Sequence, residues 1–190
     1  MNSELQDILK QASAKSPMTY RDYIETALYH PTYGYYTQKK QRVGRSSQTD
    51  FYTSESLGKV FAELVINASQ SLLKDKDLSS YHFIEIGAEP GSSLLSQLEK
   101  HPFKQESVIR QGEPISIQDE PIVLFANEWL DALPFHRLVF LNGKWYEKAI
   151  TLNSQNHLTE TLLEKLSDPI QPLVERLPSQ TSHGYQIDLS

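Results

Sequence analysis

The sequence predicts an α/β fold, and three observations carry this prediction. The apolar run at residues 81–86 is followed by a glycine turn at 87–91 and then by leucines at helical spacing, which together indicate a strand, turn and helix unit. Residues 122–125 are apolar throughout, which is typical of a strand buried on both faces of a parallel sheet. Asn142 and Gly143 separate two apolar runs, as in a type I′ hairpin.

The composition is that of a folded and rather polar domain. Its 190 residues fit one domain, or one domain with an appendage, since about 150 residues per domain is usual. The net charge of -6 disfavours a nucleic-acid partner, because phosphate backbones attract basic surfaces. The chain has no Cys, which excludes disulfides, thiolate metal sites and cysteine nucleophiles.

The apolar runs of the sequence are short. None approaches the ~20 residues that a membrane span needs, so a membrane partner is not expected. The first residues, MNSELQDILKQ, contain neither the apolar stretch of a secretory signal nor the pattern of a transit peptide. We therefore expect a cytoplasmic location.

The first third of the chain predicts helices with an aromatic turn between them. Ser3 followed by Gln6 resembles a capping box that opens a short amphipathic helix. Thr19 predicts the start of a second helix, which should end where Pro31 follows His30. The aromatic turn at 31–36 comes next, and its tyrosines are expected to pack around Gly34 or to shape a channel.

A basic loop and a longer helix complete this part. Residues 39–48 hold the only concentrated positive charge, and a solvated loop is the favoured interpretation. A helix over 57–72 places six residues on one apolar stripe: Leu57, Phe61, Leu64, Val65, Ala68 and Leu72. We predict a boundary after the polar linker that follows, with a helical N-terminal subdomain at 1–78 and a partial α/β core with the hairpin as an insertion at 79–190.

The second half predicts five strands and two helices. The strands are 81–86, 108–110, 122–125 and the two arms of the hairpin, at 137–141 and 144–150. The leucine spacing predicts one helix over 92–100 and another that includes Leu158, Leu162, Leu163 and Leu166.

The glycine turn is the most informative candidate site. A turn at the carboxyl end of a strand lets the backbone approach a ligand, and the following N–H groups are free to bind it. The spacing G-x-x-x-G does not match a dinucleotide fingerprint, and Pro90 removes a donor that a pyrophosphate would need. The turn resembles motif I of class I S-adenosylmethionine methyltransferases, with Glu85, Gly87 and Gly91 in place and Glu89 at the middle glycine. A purely structural turn is the alternative.

Three further segments resemble one family. They are His30-Pro-Thr-Tyr-Gly-Tyr-Tyr36, Thr49-Asp-Phe-Tyr-Thr-Ser54 and Asn127-Glu-Trp-Leu-Asp-Ala-Leu-Pro-Phe-His136, which occur in the order found in the MidA (DUF185) family of S-adenosylmethionine-dependent protein-arginine methyltransferases. The resemblance covers about residues 18–150. It implies a class I, Rossmann-like methyltransferase core, here incomplete at the C-terminus, and a respiratory-complex-type subunit as partner, since the mitochondrial member assists assembly of complex I.

The resemblance also implies roles for particular residues. The cofactor-binding set would be Thr53, Ser54, Glu85, Gly87, Gly91, Glu113 and Asn127, with Glu85 facing the ammonium group of S-adenosyl-L-methionine and Glu113 the adenine. Glu128 and Asp131 would be catalytic and would hold the guanidinium of the acceptor arginine through paired hydrogen bonds. Alternatively, Asn127 and Asp131 cap a turn, and Glu113 belongs to a surface turn.

His136 matches a family position, although a hydrogen-bonded structural histidine is the favoured interpretation. The six histidines lack metal-ligand spacing, so no metal site is expected.

Two features favour an alternative function, a catalytically inactive methyltransferase-like binding or assembly protein. Glu89 stands where the family has glycine. Only 20 residues separate Gly91 from Gly112, which leaves no room for the usual ribose-binding unit, since a βαβ unit needs about 30 residues. We also expect a truncated or minimal variant, with one sheet edge and its apolar residues left uncovered.

Overall fold

The computed structural model describes residues 3–38, 57–88, 91–110, 112–116 and 119–190. The chain forms two compact units: Met1–Lys39 together with Ala132–Ser190, and Lys40–Asp131. This grouping joins the N-terminal helices to the C-terminal third of the chain, whereas the predicted boundary lies at 78/79. The predicted domain boundary stays a prediction, and the basic loop at 39–48 lies outside the described residues.

The first unit begins with two helices close to their predicted positions. Helix α1 (Ser3–Lys15) buries Leu5 and Leu9. Strand β1 (Met18–Thr19) leads into helix α2 (Tyr20–Tyr29), where the Thr19 hydroxyl oxygen accepts a hydrogen bond from the Asp22 N–H at 3.0 Å. This N-cap satisfies one of the donors that a helix start leaves unpaired, so the predicted start is confirmed. The helix ends before Pro31, also as predicted.

The aromatic turn after α2 folds back against that helix. The N–H groups of Gly34, Tyr35 and Tyr36 donate to the carbonyl oxygens of three residues in or next to its last turn, at 2.8–3.0 Å. A Cβ at position 34 would lie 2.4 Å from the His30 nitrogen, so only glycine fits there. The ring of Tyr36 stacks on Tyr29 at 5.6 Å, and packing among the aromatic side chains is what the structure shows.

A five-stranded antiparallel sheet forms the rest of this unit. Its strands are β1, β5 (His136–Leu141), β6 (Lys144–Leu152), β7 (Leu158–Leu162) and β8 (Gln186–Leu189). The order is β1-β6-β5-β8, and β7 also pairs with β6. A short helix, α4 (Gln171–Val174), precedes β8. The predicted hairpin is confirmed, with positive φ at both Asn142 and Gly143. The predicted helix at 158–166 is wrong, because residues 158–162 pair with β6.

A buried polar cluster lies within this sheet. Glu147 is fully buried, and its carboxylate accepts from the Ser167 N–H at 2.7 Å and lies 2.7 Å from the His136 Nδ1 atom. The Ser167 hydroxyl donates to the same carboxylate at 3.1 Å. Buried charges persist when they are paired in this way. The structure therefore gives His136 the hydrogen-bonded structural role.

The second unit contains helix α3 (Lys59–Leu73) and a parallel three-stranded sheet. Strands β3 (Gln105–Ile109), β2 (His82–Ile86) and β4 (Ile122–Ala126) lie in that order, with β2 at the centre. One apolar core joins α3 to the sheet; its buried members are Ala62, Leu78, Tyr81, Phe83, Leu94, Leu95 and Phe103. All three predicted strands of this sheet are present, with shifted ends.

Three details of this unit differ from prediction. The helix expected at 92–100 is a short 3-10 turn, Leu95–Gln97, so that prediction is wrong. Two residues of the predicted stripe, Phe61 and Val65, pack against the core as expected, together with Ala62, Ile66 and Leu73. Leu64 and Leu72 of the same stripe are 56% and 81% exposed, so that part of the prediction is wrong. The predicted burial of β4 on both faces is also wrong: this strand has no second neighbour among the described residues, none of its residues is fully buried, and Leu124 is 50% exposed.

No helix in the described part of the chain has both the length and the hydrophobicity to cross a membrane.

Candidate functional site

The candidate site lies where the three parallel strands end. Ile86 is the register partner of both Ile109 and Ala126, so the strands end at the same level. The segments that begin at Gly87, Arg110 and Asn127 therefore leave one edge of the sheet together. Open α/β sheets bind ligands at this edge.

The first of these segments is the glycine turn. Gly87 and Gly91 have φ angles of +83° and +80°, in the left-handed region that favours glycine. The Gly87 N–H donates to the Ile109 carbonyl oxygen at 2.9 Å, which ties the turn to the neighbouring strand. A Cβ at Gly91 would meet nothing within 4 Å, so the backbone there faces open space. Glu89 and Pro90 lie outside the described residues.

Glu85 is buried immediately before this turn. Its side chain is 2% exposed, and its Oε2 atom accepts from the Leu94 N–H at 2.7 Å. Burial raises the pKa of this carboxyl group, the Leu94 N–H opposes that effect, and the nearby charge of Glu106 adds to it. Glu85 therefore fixes the position of the backbone at Leu94, which follows the turn.

The second segment contains Glu113. Its Oε2 atom accepts from the Arg110 N–H at 2.7 Å, and its own N–H donates to the Arg110 carbonyl oxygen at 3.0 Å. Gly112 between them has a φ of +81° and open space around a Cβ position. The Arg110 guanidinium donates to the Ser92 carbonyl oxygen at 2.9 Å, which joins this segment to the first. Glu113 thus closes its own turn, as the surface-turn alternative expects.

The third segment carries the candidate catalytic carboxylates. Glu128 and Asp131 are exposed, Asn127 is half-buried, and residues Leu130–Ala132 form a 3-10 turn. Within the ranges that the structure describes, the side chains of these three residues take part in no hydrogen bond or ion pair. Glu128 has a φ of +53°, a conformation that costs a non-glycine residue about 1–2 kcal/mol. Strain of this kind is concentrated at functional sites.

Trp129 is the site residue that the sequence did not predict. A Cβ built on Gly87 would lie 2.8 Å from its Cδ1 atom and 3.2 Å from its Cβ and Cγ atoms. The tryptophan side chain therefore packs directly against the glycine turn. Neither spacing nor composition indicates this contact, because the two residues are 42 positions apart.

The predicted site residues fall into two groups. The larger group belongs to the second unit and lies at or just beyond the ends of its strands: Glu85, Gly87, Gly91, Glu113, Asn127, Glu128 and Asp131. Thr53 and Ser54 lie outside the described residues. Among the residues the structure does describe, no three His, Asp or Glu side chains are grouped as a metal site would require.

A family model described as "Putative S-adenosyl-L-methionine-dependent methyltransferase" matches residues 58–190 of this chain. The chain belongs to this methyltransferase family. The cofactor of the family is S-adenosyl-L-methionine, and the predicted methyltransferase resemblance is confirmed. The match includes the whole of the parallel sheet and the three segments that follow it.

Solved structures share the methyltransferase fold. A COG1565 superfamily member from Burkholderia thailandensis, crystallised with S-adenosyl-homocysteine, has a TM-score of 0.69 and 20% identity over 97% of this chain and 55% of that chain. A second COG1565 structure from the same organism has a TM-score of 0.67 and 19% identity, covering 97% of this chain and 54% of that chain. These likenesses confirm the predicted class I methyltransferase fold.

Curated relatives of this methyltransferase are similar over most of the chain. The mitochondrial protein arginine methyltransferase NDUFAF7 homolog of Drosophila melanogaster is 25% identical over 92% of this chain and 52% of its own length. The Caenorhabditis elegans homolog is 25% identical over 80% of this chain and 46% of its own length. The chain thus spans about half the length of the curated relatives it matches. Their names specify mitochondria, which corrects the expected cytoplasmic location.

Proposed function

We propose that this chain transfers a methyl group from S-adenosyl-L-methionine to an arginine side chain of a protein. The observation that carries the proposal is the meeting, at one end of the parallel sheet, of a glycine turn with two exposed carboxylates, Glu128 and Asp131. Arginine as the acceptor is supported by the names of the curated relatives and by the chemistry of paired carboxylates.

The residues around the glycine turn fit the cofactor. The backbone at Gly91 faces open space, which leaves room for a ligand to approach it. Gly87 and Gly91 would border the methionine part of the cofactor, and Glu85 would attract its ammonium group. Glu113 and Asn127 would contact the remainder of the cofactor. Thr53 and Ser54 join this set by resemblance alone. The sulfonium of S-adenosyl-L-methionine supplies an electrophilic methyl group when it is bound.

Glu128 and Asp131 would act on the acceptor. A guanidinium that donates to two carboxylates is held in a fixed plane, and this orients one nitrogen toward the methyl group. The nitrogen that gains the methyl group loses a proton, which an exposed carboxylate can pass to water. Because neither side chain has a partner in the described part of the chain, both carboxylates are available for this contact.

The experiment combines binding with transfer. Calorimetric titration with S-adenosyl-homocysteine should show binding in the micromolar range, and a Gly87→Val variant should abolish it. Radiolabelled methyl transfer to an arginine-rich peptide should yield methylarginine. Glu128→Gln with Asp131→Asn should reduce transfer by about 100-fold or more, with S-adenosyl-homocysteine affinity unchanged. Asp75→Asn, which changes an exposed carboxylate in the turn after α3 of the same unit, is the matched control.

The second candidate is a protein that keeps the fold and binds a partner without transferring a methyl group. Glu89 at the middle glycine position and the short segment before Gly112 favour it. If the native chain gives no heat with S-adenosyl-homocysteine and a Glu89→Gly variant binds it, this candidate replaces the enzyme. The partner would then be a respiratory-complex-type subunit, as the family resemblance implies.

A further inference from the structure

Trp129 links two segments that the proposed function assigns to different tasks. One segment, at Gly87, would border the cofactor, and the other, at 127–131, carries the carboxylates for the acceptor. Trp129 belongs to the second segment and packs on the first, with its Cδ1 atom 2.8 Å from where a Gly87 Cβ would stand. Nothing larger than glycine can occupy position 87 without moving this side chain.

The residue before Trp129 is the strained one. Glu128 has a φ of +53°, and no side-chain bond within the described residues holds it there. A left-handed residue persists only when its surroundings determine it. Ala126, two residues before Glu128, is the last paired residue of β4, and Trp129, one residue after it, contacts Gly87, so the strained residue lies between two positions that are held in place.

We propose that Trp129 is a positioning residue. Its contact with Gly87 holds Glu128 in the left-handed conformation and couples the cofactor turn to the acceptor carboxylates. A ligand that binds at the glycine turn therefore changes the environment of the Trp129 side chain. This inference rests on the proposed function, because it assigns the two turns to cofactor and acceptor.

Fluorescence offers a direct test, since the chain has only two tryptophans. In a Trp145→Phe background Trp129 is the sole reporter. Adding S-adenosyl-homocysteine should change its emission, with the same dissociation constant as calorimetry. If calorimetry detects no binding, the proposed function fails. If calorimetry detects binding and the emission stays constant, the positioning role of Trp129 fails while the proposed function stands.

A double-mutant cycle tests the coupling. Gly87→Ala introduces the clash, and it should lower S-adenosyl-homocysteine affinity about tenfold or more when Trp129 is present. In a Trp129→Ala background the same change should cost about threefold or less, because the Cδ1 and Cγ atoms are gone and only the Cβ atom, at 3.2 Å, remains close. Equal losses in the two backgrounds would overturn the proposal. Trp129→Phe keeps a ring in contact with Gly87 and should bind S-adenosyl-homocysteine nearly as the parent does.

Backbone strain needs its own control, because alanine at position 87 is also left-handed. Gly143 has a φ of +81° with nothing within 4 Å of its Cβ position, so Gly143→Ala adds strain without a clash. In the Trp145→Phe background Gly87→Ala should shift the Trp129 emission to the red, and Gly143→Ala should not. Equal spectra for the two variants would contradict the contact. Should Gly87→Ala fail to fold, S-adenosyl-homocysteine titration of Trp129→Ala against Trp129→Phe decides: equal affinities refute the coupling.

Discussion

Substitution of Gly34 by alanine gives a sharp test of the first unit. Gly34 lies in the aromatic turn that folds back on α2, and its Cβ would stand 2.4 Å from the His30 nitrogen, 2.7 Å from the Tyr29 carbonyl carbon and 2.8 Å from the His30 oxygen. All three are backbone atoms, so no flexible side chain can move aside. The turn must separate from the helix to admit the methyl group.

The magnitude follows from these contacts. Overpacking costs roughly 1–3 kcal/mol. The shift also breaks or lengthens the 2.8 Å bond from the Gly34 N–H to the His30 oxygen, and a hydrogen bond contributes about 1 kcal/mol. The free energy of unfolding should therefore fall by about 2–4 kcal/mol. Gly143→Ala, with strain and no clash, should lower it by about 1 kcal/mol.

The assay is urea unfolding followed by the fluorescence of Trp145. This tryptophan lies on β6 in the same unit as Gly34, and a Trp129→Phe background makes it the only tryptophan. The reasoning is refuted if Gly34→Ala destabilises no more than Gly143→Ala. That result would mean that the turn adapts to a methyl group.

Three further predictions concern Glu85, Glu147 and Thr19. Because burial raises the Glu85 pKa above its ordinary 4.5, the folded state binds the proton more tightly than the unfolded state does. The free energy of unfolding should therefore fall as the pH rises from 4.5 through the raised pKa. Glu85→Gln should remove this pH dependence and unfold at a higher urea concentration at pH 7. If Glu85 contacts the ammonium group of the cofactor, the same variant should also bind S-adenosyl-homocysteine less tightly. Glu147→Ala should cost about 3–5 kcal/mol in urea unfolding, because it leaves the buried His136 ring and the half-buried Ser167 donors without their carboxylate partner. Thr19→Ala should cost about 1 kcal/mol through the lost cap, measured in the same way, and equal stability would contradict its role.

Strand β4 and the β5–β6 hairpin could be predicted because local sequence determines them. Residues 122–125 have no polar residue to place in water, and Asn142 with Gly143 supplies both positive φ angles of the hairpin turn. The predicted helix over 158–166 failed because Leu158 and Leu162 share one face in a strand as well as in a helix. Pairing with β6, which is distant in sequence, decides between them.

The predicted helix over 92–100 failed for a local reason. The Ser96 hydroxyl donates to the Ser93 carbonyl oxygen at 2.7 Å, and the Ser93 and Ser96 N–H groups each donate to the hydroxyl of the other serine at 3.3 Å. Serine side chains offer the backbone alternatives to helical hydrogen bonds. Leucine spacing alone therefore overestimated the helix, and the structure retains only the turn Leu95–Gln97.

The candidate site could be predicted wherever it depends on strand ends. Parallel strands place their carboxyl ends at one edge, so the sequence suffices to place Gly87 and Asn127, which each follow such a strand, at that edge. The contact between Gly87 and Trp129 could not be predicted, because it depends on the path of the chain after β4 and on the rotamer of one side chain.

The site residues differ in how far function can be separated from stability. Glu85 is buried and bonded to the Leu94 N–H, so its substitution changes the stability of the fold and any cofactor contact together. Glu128 and Asp131 are exposed without a partner among the described residues, and exposed substitutions usually change stability by about 0.5 kcal/mol or less. Loss of methyl transfer in Glu128→Gln and Asp131→Asn, at unchanged stability, therefore reports their contact with the acceptor and not a change in the fold. Titration of the native chain and of Glu89→Gly tests cofactor binding, and these two carboxylates test methyl transfer, so the two experiments together separate the enzyme from the inactive binding protein.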